Sequence, residues 1–322
     1  MINRVTFLLM FLILTGCNHP EKTKEKESVD PVFLKKGITL HVLGTIQDGG
    51  SPHIGCERSC CQHLFKNPDK TRKVVSLGLV NHNTKKTYLF EATPDLPGQL
   101  SLLSEVAGKA SDSPNGIFVT HAHMGHYTGL MYLGREAYGA MNIPVFTMPK
   151  MTSFLNTNGP WNQLIELNNI VLELLENQNA VKLSDELTVI PFLVPHRDEY
   201  SETVGFKIMG PNKTVLFIPD INKWSVWNKS IAEEIKKVDF AFLDGTFYSG
   251  EELNHRDISE IPHPFVIESM DLFKSLPEKE KKKIHFIHFN HTNPLLDKNS
   301  DAYQTLINNG FQIASFMDVF NL

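Results

Sequence analysis

Three histidines stand within six residues, in the run His121-Ala122-His123-Met124-Gly125-His126. Neutral imidazole offers a nitrogen lone pair and is the commonest nitrogen ligand for zinc and iron. Residues i and i+2 at a strand-to-loop junction can aim at one ion, and the third histidine follows a turn later. Other candidates are scattered along the chain. His196, Asp220, Asp244 and His288 each come directly after an apolar run, as does His121. A second cluster, Cys56, Cys60 and Cys61, brings three sulfurs together. Three thiolates with one further ligand make a structural zinc site, while a strained bridge between Cys60 and Cys61 is the disulfide alternative. The C-x3-C-C spacing is irregular and decides neither.

These side chains need elements to position them. Runs with strand character cover 38–43, 75–81, 87–90, 116–120, 144–147, 188–194, 203–208, 214–218, 239–243, 284–288 and 311–315. Helical patterns cover 99–107, 129–138, 150–155, 161–166, 231–236, 264–276 and 302–309. Many strands interspersed with helices predict a layered α/β (α+β) domain. No fixed-period repeat occurs, and no Pro/Gly/Ser linker follows Pro31. One domain over 37–322 is therefore expected. Strand ends are rigid, so ligands delivered there can converge on one site.

The 322 residues are 41% hydrophobic and 21% charged, with a formal charge of −5. This is ordinary globular composition and excludes disordered, collagenous and coiled-coil classes. Weak acidity gives no support for a nucleic-acid surface, and a local basic patch stays compatible with it; the partner expected is a small-molecule substrate. No apolar run reaches the roughly 18 residues of a membrane span. Arg4, the mostly apolar stretch 5–14 and Leu14-Thr15-Gly16-Cys17 together resemble a bacterial lipobox signal. That resemblance implies a signal peptide over 1–16, cleavage before Cys17 and lipid modification of Cys17. Residues 17–36 then form a polar tether, and the protein is an exported lipoprotein anchored on the periplasmic or cell-surface side.

The segment Thr120-His-Ala-His-Met-Gly-His126 resembles the H-x-H-x-D-H motif of the metallo-β-lactamase fold. The resemblance implies a four-layer αββα sandwich with metals at one edge. Residue by residue, His121, His123 and His196 hold a first metal, Asp220 bridges, and His126 with His288 holds a second. The motif's aspartate is Gly125 here, which can neither ligate nor orient water. A weak, empty or differently occupied second site follows.

Further segments are similar to the pyrroloquinoline-quinone biosynthesis protein B family. They are Val42-Leu-Gly-Thr-Ile-Gln-Asp-Gly-Gly50, Ala92-Thr-Pro-Asp-Leu96, Asp244-Gly-Thr-Phe247 and Ile287-His-Phe-Asn-His-Thr-Asn-Pro294. That family works in the cytosol, whereas this chain carries an export signal, so an altered function is expected. The chain is also similar to phosphonate-pathway cyclic phosphodiesterases. There a histidine three residues past the last active-site histidine joins three cysteines on zinc. The comparison implies a Cys56, Cys60, Cys61, His291 site, with His63 as a substitute ligand.

The chemistry implied is that of a metallo-hydrolase. Zinc lowers the pKa of bound water to roughly 7, and the resulting hydroxide attacks a phosphodiester, lactone or ester. Asp220 orients the water, Asp244 lines the site and His263 reaches the leaving group. Iron or manganese also suits these ligands in the active site. Two other readings stand beside it: an iron-dependent oxidase or hydroxylase related to quinone-cofactor synthesis, and a non-catalytic surface metal-binding protein, for which Gly125 is the best support. His285 reads as structural, and Asp48-Gly49-Gly50 as a tight loop.

Overall fold

A computed structural model describes residues 36–253 and 261–322. The signal, Cys17 and nearly all of the tether lie outside the described residues, as does His255. In chain order the strands are β1 (Ile38–Gly44), β2 (Ser76–Asn81), β3 (Lys86–Phe90), β4 (Gly116–Phe118), β5 (Ile143–Thr147), β6 (Ile170–Leu174), β7 (Val181–Ser184), β8 (Leu187–Leu193), β9 (Val204–Met209), β10 (Thr214–Ile218), β11 (Phe240–Asp244), β12 (Ile284–Ile287), β13 (Gln312–Ile313) and β14 (Val319–Asn321). They form two seven-stranded sheets, ordered β14-β1-β2-β3-β4-β5-β6 and β13-β12-β11-β10-β9-β8-β7.

Period-two alternation sorts each strand's side chains between two layers. Leu40, Val42, Leu77, Leu79, Phe90 and Phe118 of the first sheet meet Val189, Phe206, Val215, Phe217, Phe242 and Ile287 of the second in one buried core. On the outer face of the first sheet, Leu43, Val80 and Leu89 pack under Leu96, Leu100 and Leu103 of the helix Leu96–Ala107. On the outer face of the second, Leu216, Leu243 and Phe286 pack under Ile231, Ile235, Val266, Phe273 and Leu306. The layers are thus helix, sheet, sheet, helix. Residue 285 continues the alternation. His285 points between the sheets, its ring 5.3 Å from that of Phe242 and 5.1 Å from that of Phe320. Burial holds its pKa down to about 4, so it is a neutral structural residue, as its position in the strand suggests.

Register determines where the site lies. β1 and β2 pair antiparallel, as do β2 and β3, while β3 and β4 run parallel. The carboxyl ends of β1, β3 and β4 therefore share one edge. In the second sheet the same logic places the carboxyl ends of β8, β10, β11 and β12 together.

Some elements differ from expectation. Residues 129–138 are not an α-helix; a 3-10 segment runs Thr128–Leu133. Gly129 sits so close to Thr93 that a Cβ there would lie 2.0 Å from its carbonyl oxygen. β12 stops one residue early because His288 takes φ +68°. Three further strands, β6, β7 and β14, complete the sheets.

Candidate metal centre

All six residues expected to hold active-site metal come together at that shared edge. His121 Nε2 lies 2.8 Å from His123 Nδ1, which is 3.2 Å from His196 Nε2. One carboxylate oxygen, Asp220 Oδ2, lies 3.1 Å from His196 Nε2, 3.4 Å from His121 Nε2 and 4.0 Å from His126 Nε2. His126 and His288 sit side by side, ring centroids 5.3 Å apart.

Each histidine turns one ring nitrogen inward and rests the other on a partner. His121 Nδ1 is 2.9 Å from Thr120 Oγ1, and His196 Nδ1 is 3.2 Å from Asn222 Oδ1. His123 Nε2 is 3.3 Å from Glu199, His126 Nδ1 is 3.3 Å from Glu91 Oε1, and His288 Nδ1 is 2.8 Å from Thr246 Oγ1. Such outer partners fix ring orientation in metal sites. Two of the participating residues, Glu91 and His288, sit at positive φ (+80° and +68°), a backbone strain that clusters at functional sites.

Electrostatics favour a cation here. Glu91, Asp220 and Asp244 are buried, and Asp48 is 13% exposed. Among the described residues none of these carboxylates pairs with lysine or arginine; their ionic partners are imidazoles. Buried charges of one sign are stable when paired or bound to metal. Burial opposes ionisation of Asp220, yet His196 and His263 hold it well below the usual carboxylate range. Burial and the charge of His126 keep His121 neutral, its lone pair available. One inward atom, His126 Nε2, is buried without an aligned hydrogen bond. The residues present therefore fit divalent metal.

Asp244 does two things. Its Oδ1 accepts from Thr246 N–H and O–H, capping the turn, and its Oδ2 faces His263 Nδ1 at 2.9 Å. His263 is buried rather than a surface turn residue. Its Nδ1 also lies 3.1 Å from Asp220 Oδ1. Burial disfavours its charge, but Asp220 and Asp244 outweigh that and raise it to about 10.

Asp48, which the motifs did not place at the site, stands beside the second pair of histidines. Asp48 Oδ1 stands 3.0 Å from His126 Nε2 and 3.4 Å from His288 Nε2. The loop holding it is tied down locally. Ile46 bridges to both Val74 and Phe289, Gln47 N–H donates to Phe289 O at 2.8 Å, and Gly50 N–H closes the turn onto Gln47 O at 2.9 Å. Glu91 and Glu199 are further participants that the motifs did not single out. For Glu91 a signal existed: a carboxylate directly after the apolar end of β3.

The cysteine cluster also assembles. Cys56, Cys60, Cys61 and His291 bring one ligand atom each within 4.8 Å of one another. The sulfurs are unbonded, with Cys56 and Cys60 3.8 Å apart and Cys60 and Cys61 4.0 Å apart. Four sulfurs on a tetrahedral zinc at 2.3 Å stand about 3.8 Å from one another. His291 Nδ1 is buried without a hydrogen bond, and burial, with His53 and Arg58 nearby, keeps its ring neutral down to about 4. His53 stacks on His291 with centroids 4.3 Å apart, and its backbone N–H donates to Cys61 Sγ. His63 instead directs Nδ1 to Ser59 O, 3.0 Å away, so the arrangement selects His291.

A four-layer sandwich with an edge of converging imidazoles and carboxylates defines the metallo-β-lactamase type of protein. The Beta-lactamase superfamily domain matches residues 86–289, and the chain belongs to that superfamily. It is 24% identical over 310 residues to Coenzyme PQQ synthesis protein B of Methylococcus capsulatus, covering 86% of this chain and 97% of that protein. Among solved structures it is similar to Zn(2+)-bound PqqB from Methylobacterium extorquens, with TM-score 0.72 and 18% identity over 88% of this chain and all (100%) of that one. It is also similar to a diphosphatase from the PhnP family, with TM-score 0.58 and 21% identity over 88% of this chain and 96% of that one. These structural likenesses show a common fold.

Proposed function

We propose that the protein is an exported, lipid-anchored metal-dependent hydrolase acting on a small phosphodiester. The observation that carries the reading is the convergence of His121 Nε2, His123 Nδ1 and His196 Nε2 on Asp220 Oδ2, each ring braced from behind. His121, His123, His196 and Asp220 would hold one divalent ion, zinc in the first instance, with iron or manganese also compatible with the donor set. A metal in such a site makes a nucleophile from water near neutral pH and acts as a Lewis acid on the attacked centre. The rest falls to the chain's own residues. Asp220 orients the attacking water. His263, held by Asp220 and Asp244, is placed to give a proton to the leaving oxygen. The diphosphatase neighbour supports the choice of a phosphorus centre over a lactone or carboxylic ester. The Cys56, Cys60, Cys61 and His291 group would carry a structural zinc.

Anchoring rests on Leu14-Thr15-Gly16-Cys17 and the charged stretch after it. Replacing Cys17 by Ser should release the protein from the membrane fraction.

A second reading, an iron-dependent oxidase or hydroxylase, draws on the similarity to Coenzyme PQQ synthesis protein B. A purely metal-binding, non-catalytic role loses its best support, because Asp48 stands where Gly125 lacks a carboxylate. The discriminating experiment assays wild type and His123→Ala against phosphodiester, lactone and ester panels. Turnover of phosphodiesters that His123→Ala abolishes supports the proposal. No hydrolysis by protein carrying its metals, together with oxygen consumption on a quinone precursor, supports the second reading.

A further inference from the structure

The position that carries aspartate in the H-x-H-x-D-H pattern is glycine in this chain, and the room around it is filled from elsewhere. A Cβ built on Gly125 would lie 2.3 Å from Asp48 Oδ1, 2.8 Å from its Cγ and 2.6 Å from its Cα. Real Cβ atoms do not come so close, so any side chain at 125 would have to displace the loop, not merely a flexible tip. The carboxylate of Asp48 thus enters the space that a residue-125 side chain would otherwise use.

The placement has the geometry of ligation. Asp48, His126 and His288 offer atoms that all lie within 4.8 Å of one another. The spacings from Asp48 Oδ1 are 3.0 Å to His126 Nε2 and 3.4 Å to His288 Nε2. Nitrogen and oxygen ligands about 2.1 Å from a tetrahedral ion stand about 3.4 Å apart. His126 Nε2 is buried and has no aligned hydrogen bond among the described residues, and the Asp48 carboxylate is its 3.0 Å ionic neighbour. Asp220 Oδ2, 4.0 Å from His126 Nε2, is close enough to serve both halves of the site.

We propose that Asp48 is the carboxylate ligand of a second divalent metal, held with His126 and His288 and shared with Asp220. In this arrangement Gly125 is glycine because Asp48 occupies the room of its side chain. The inference rests on the proposed metal-dependent reading and deepens it. The active site is then a complete two-metal site with a transposed ligand, not one full site and one degraded site.

The test is titration of chelated, full-length protein with Zn²⁺ alone, following equivalents bound and their affinities. Wild type should take up three: one at Cys56, Cys60, Cys61 and His291, and two at the active site. Asp48→Ala should lose one active-site equivalent or bind it more than about 100-fold weaker, beyond the 10–100-fold typical of an outer partner. The isosteric Asp48→Asn should weaken the same equivalent while melting like wild type in the metal-free state, which separates ligand loss from misfolding. Gly125→Ala deletes no ligand, yet should weaken that equivalent too by pushing the loop away. Unchanged stoichiometry and affinity in both Asp48 variants would overturn the assignment and leave the metal-dependent reading standing. If wild type binds only the equivalent removed by Cys→Ser, both the assignment and that reading fail.

Discussion

Nδ1 of His263 lies 2.9 Å from Oδ2 of Asp244, and the same nitrogen is 3.1 Å from Asp220, so the ring is fixed at the boundary of the histidine–aspartate cluster. General acid catalysis at such a position contributes roughly 10²–10⁴-fold. His263→Ala should lower kcat by that order on an alkyl phosphodiester and by much less on a p-nitrophenyl one, whose leaving group needs no proton. Zinc content should not change. An equal loss on both substrates would show that His263 does not protonate the leaving group.

The braces behind the histidines should rank by burial. Glu91 is buried and supports His126, whereas Glu199 is 52% exposed and supports His123. Glu91→Gln preserves shape at a strained backbone position and should weaken the metal held through His126 by about 10–100-fold. Glu199→Ala should cost less than about tenfold, since solvent replaces an exposed partner readily. Chelator competition on both variants reads the ratio directly.

At the cysteine site, the triple Cys56, Cys60, Cys61→Ser variant should lose one zinc equivalent and keep its active-site metals. Burial and the neighbouring sulfurs push the Cys60 thiol up to about 12, the mark of thiols crowded with no cation to offset them. Metal binding that is coupled to folding stabilises the native state. Its loss should cost on the order of 4 kcal/mol, in the range of the largest single-site effects. His291→Ala should reproduce the defect and His63→Ala should not. Metal analysis with thermal melting distinguishes them, and a disulfide found by mass spectrometry would argue against the site.

Stability should also depend on Glu252. Burial raises its carboxyl from the ordinary 4.5 to about 7, against hydrogen bonds from Ser249 and Tyr248 N–H that favour the anion. A folded pKa above the unfolded one means that stability is fully present below about 4.5 and declines as pH rises through about 7. That span is worth roughly 3 kcal/mol at 1.36 per pH unit. Glu252→Gln can keep both backbone bonds and the contact with Thr292. It should therefore melt higher than wild type at pH 8 and about equally at pH 4.5. Parallel melting curves for the two proteins across that range would contradict this.

Much of the site was legible because its ligands come directly off apolar strands: His121 after β4, His196 after β8, Asp220 after β10 and His288 after β12. The apolar run and the polar residue that ends it are adjacent in sequence, so one reading finds both. β7 and β14 escaped notice for the converse reason. Val181-Lys-Leu-Ser184 and Val319-Phe-Asn321 are short, half-polar edge or near-edge strands that only pairing defines. Asp48 was hidden because Asp-Gly-Gly reads locally as a turn. Its approach to Gly125 arises from the bridges of Ile46 to Val74 and Phe289, contacts between segments far apart in the chain. His53 likewise gains meaning only where its ring meets that of His291.

The most direct test of the central claim is the initial rate of phosphodiester hydrolysis by chelated protein as Zn²⁺ or Mn²⁺ is added back. The account expects no turnover in the metal-free protein, recovery as the active-site equivalents fill, and no recovery in His123→Ala at any metal concentration. Turnover by metal-free protein, or equal rates for wild type and His123→Ala once metal is restored, would contradict it.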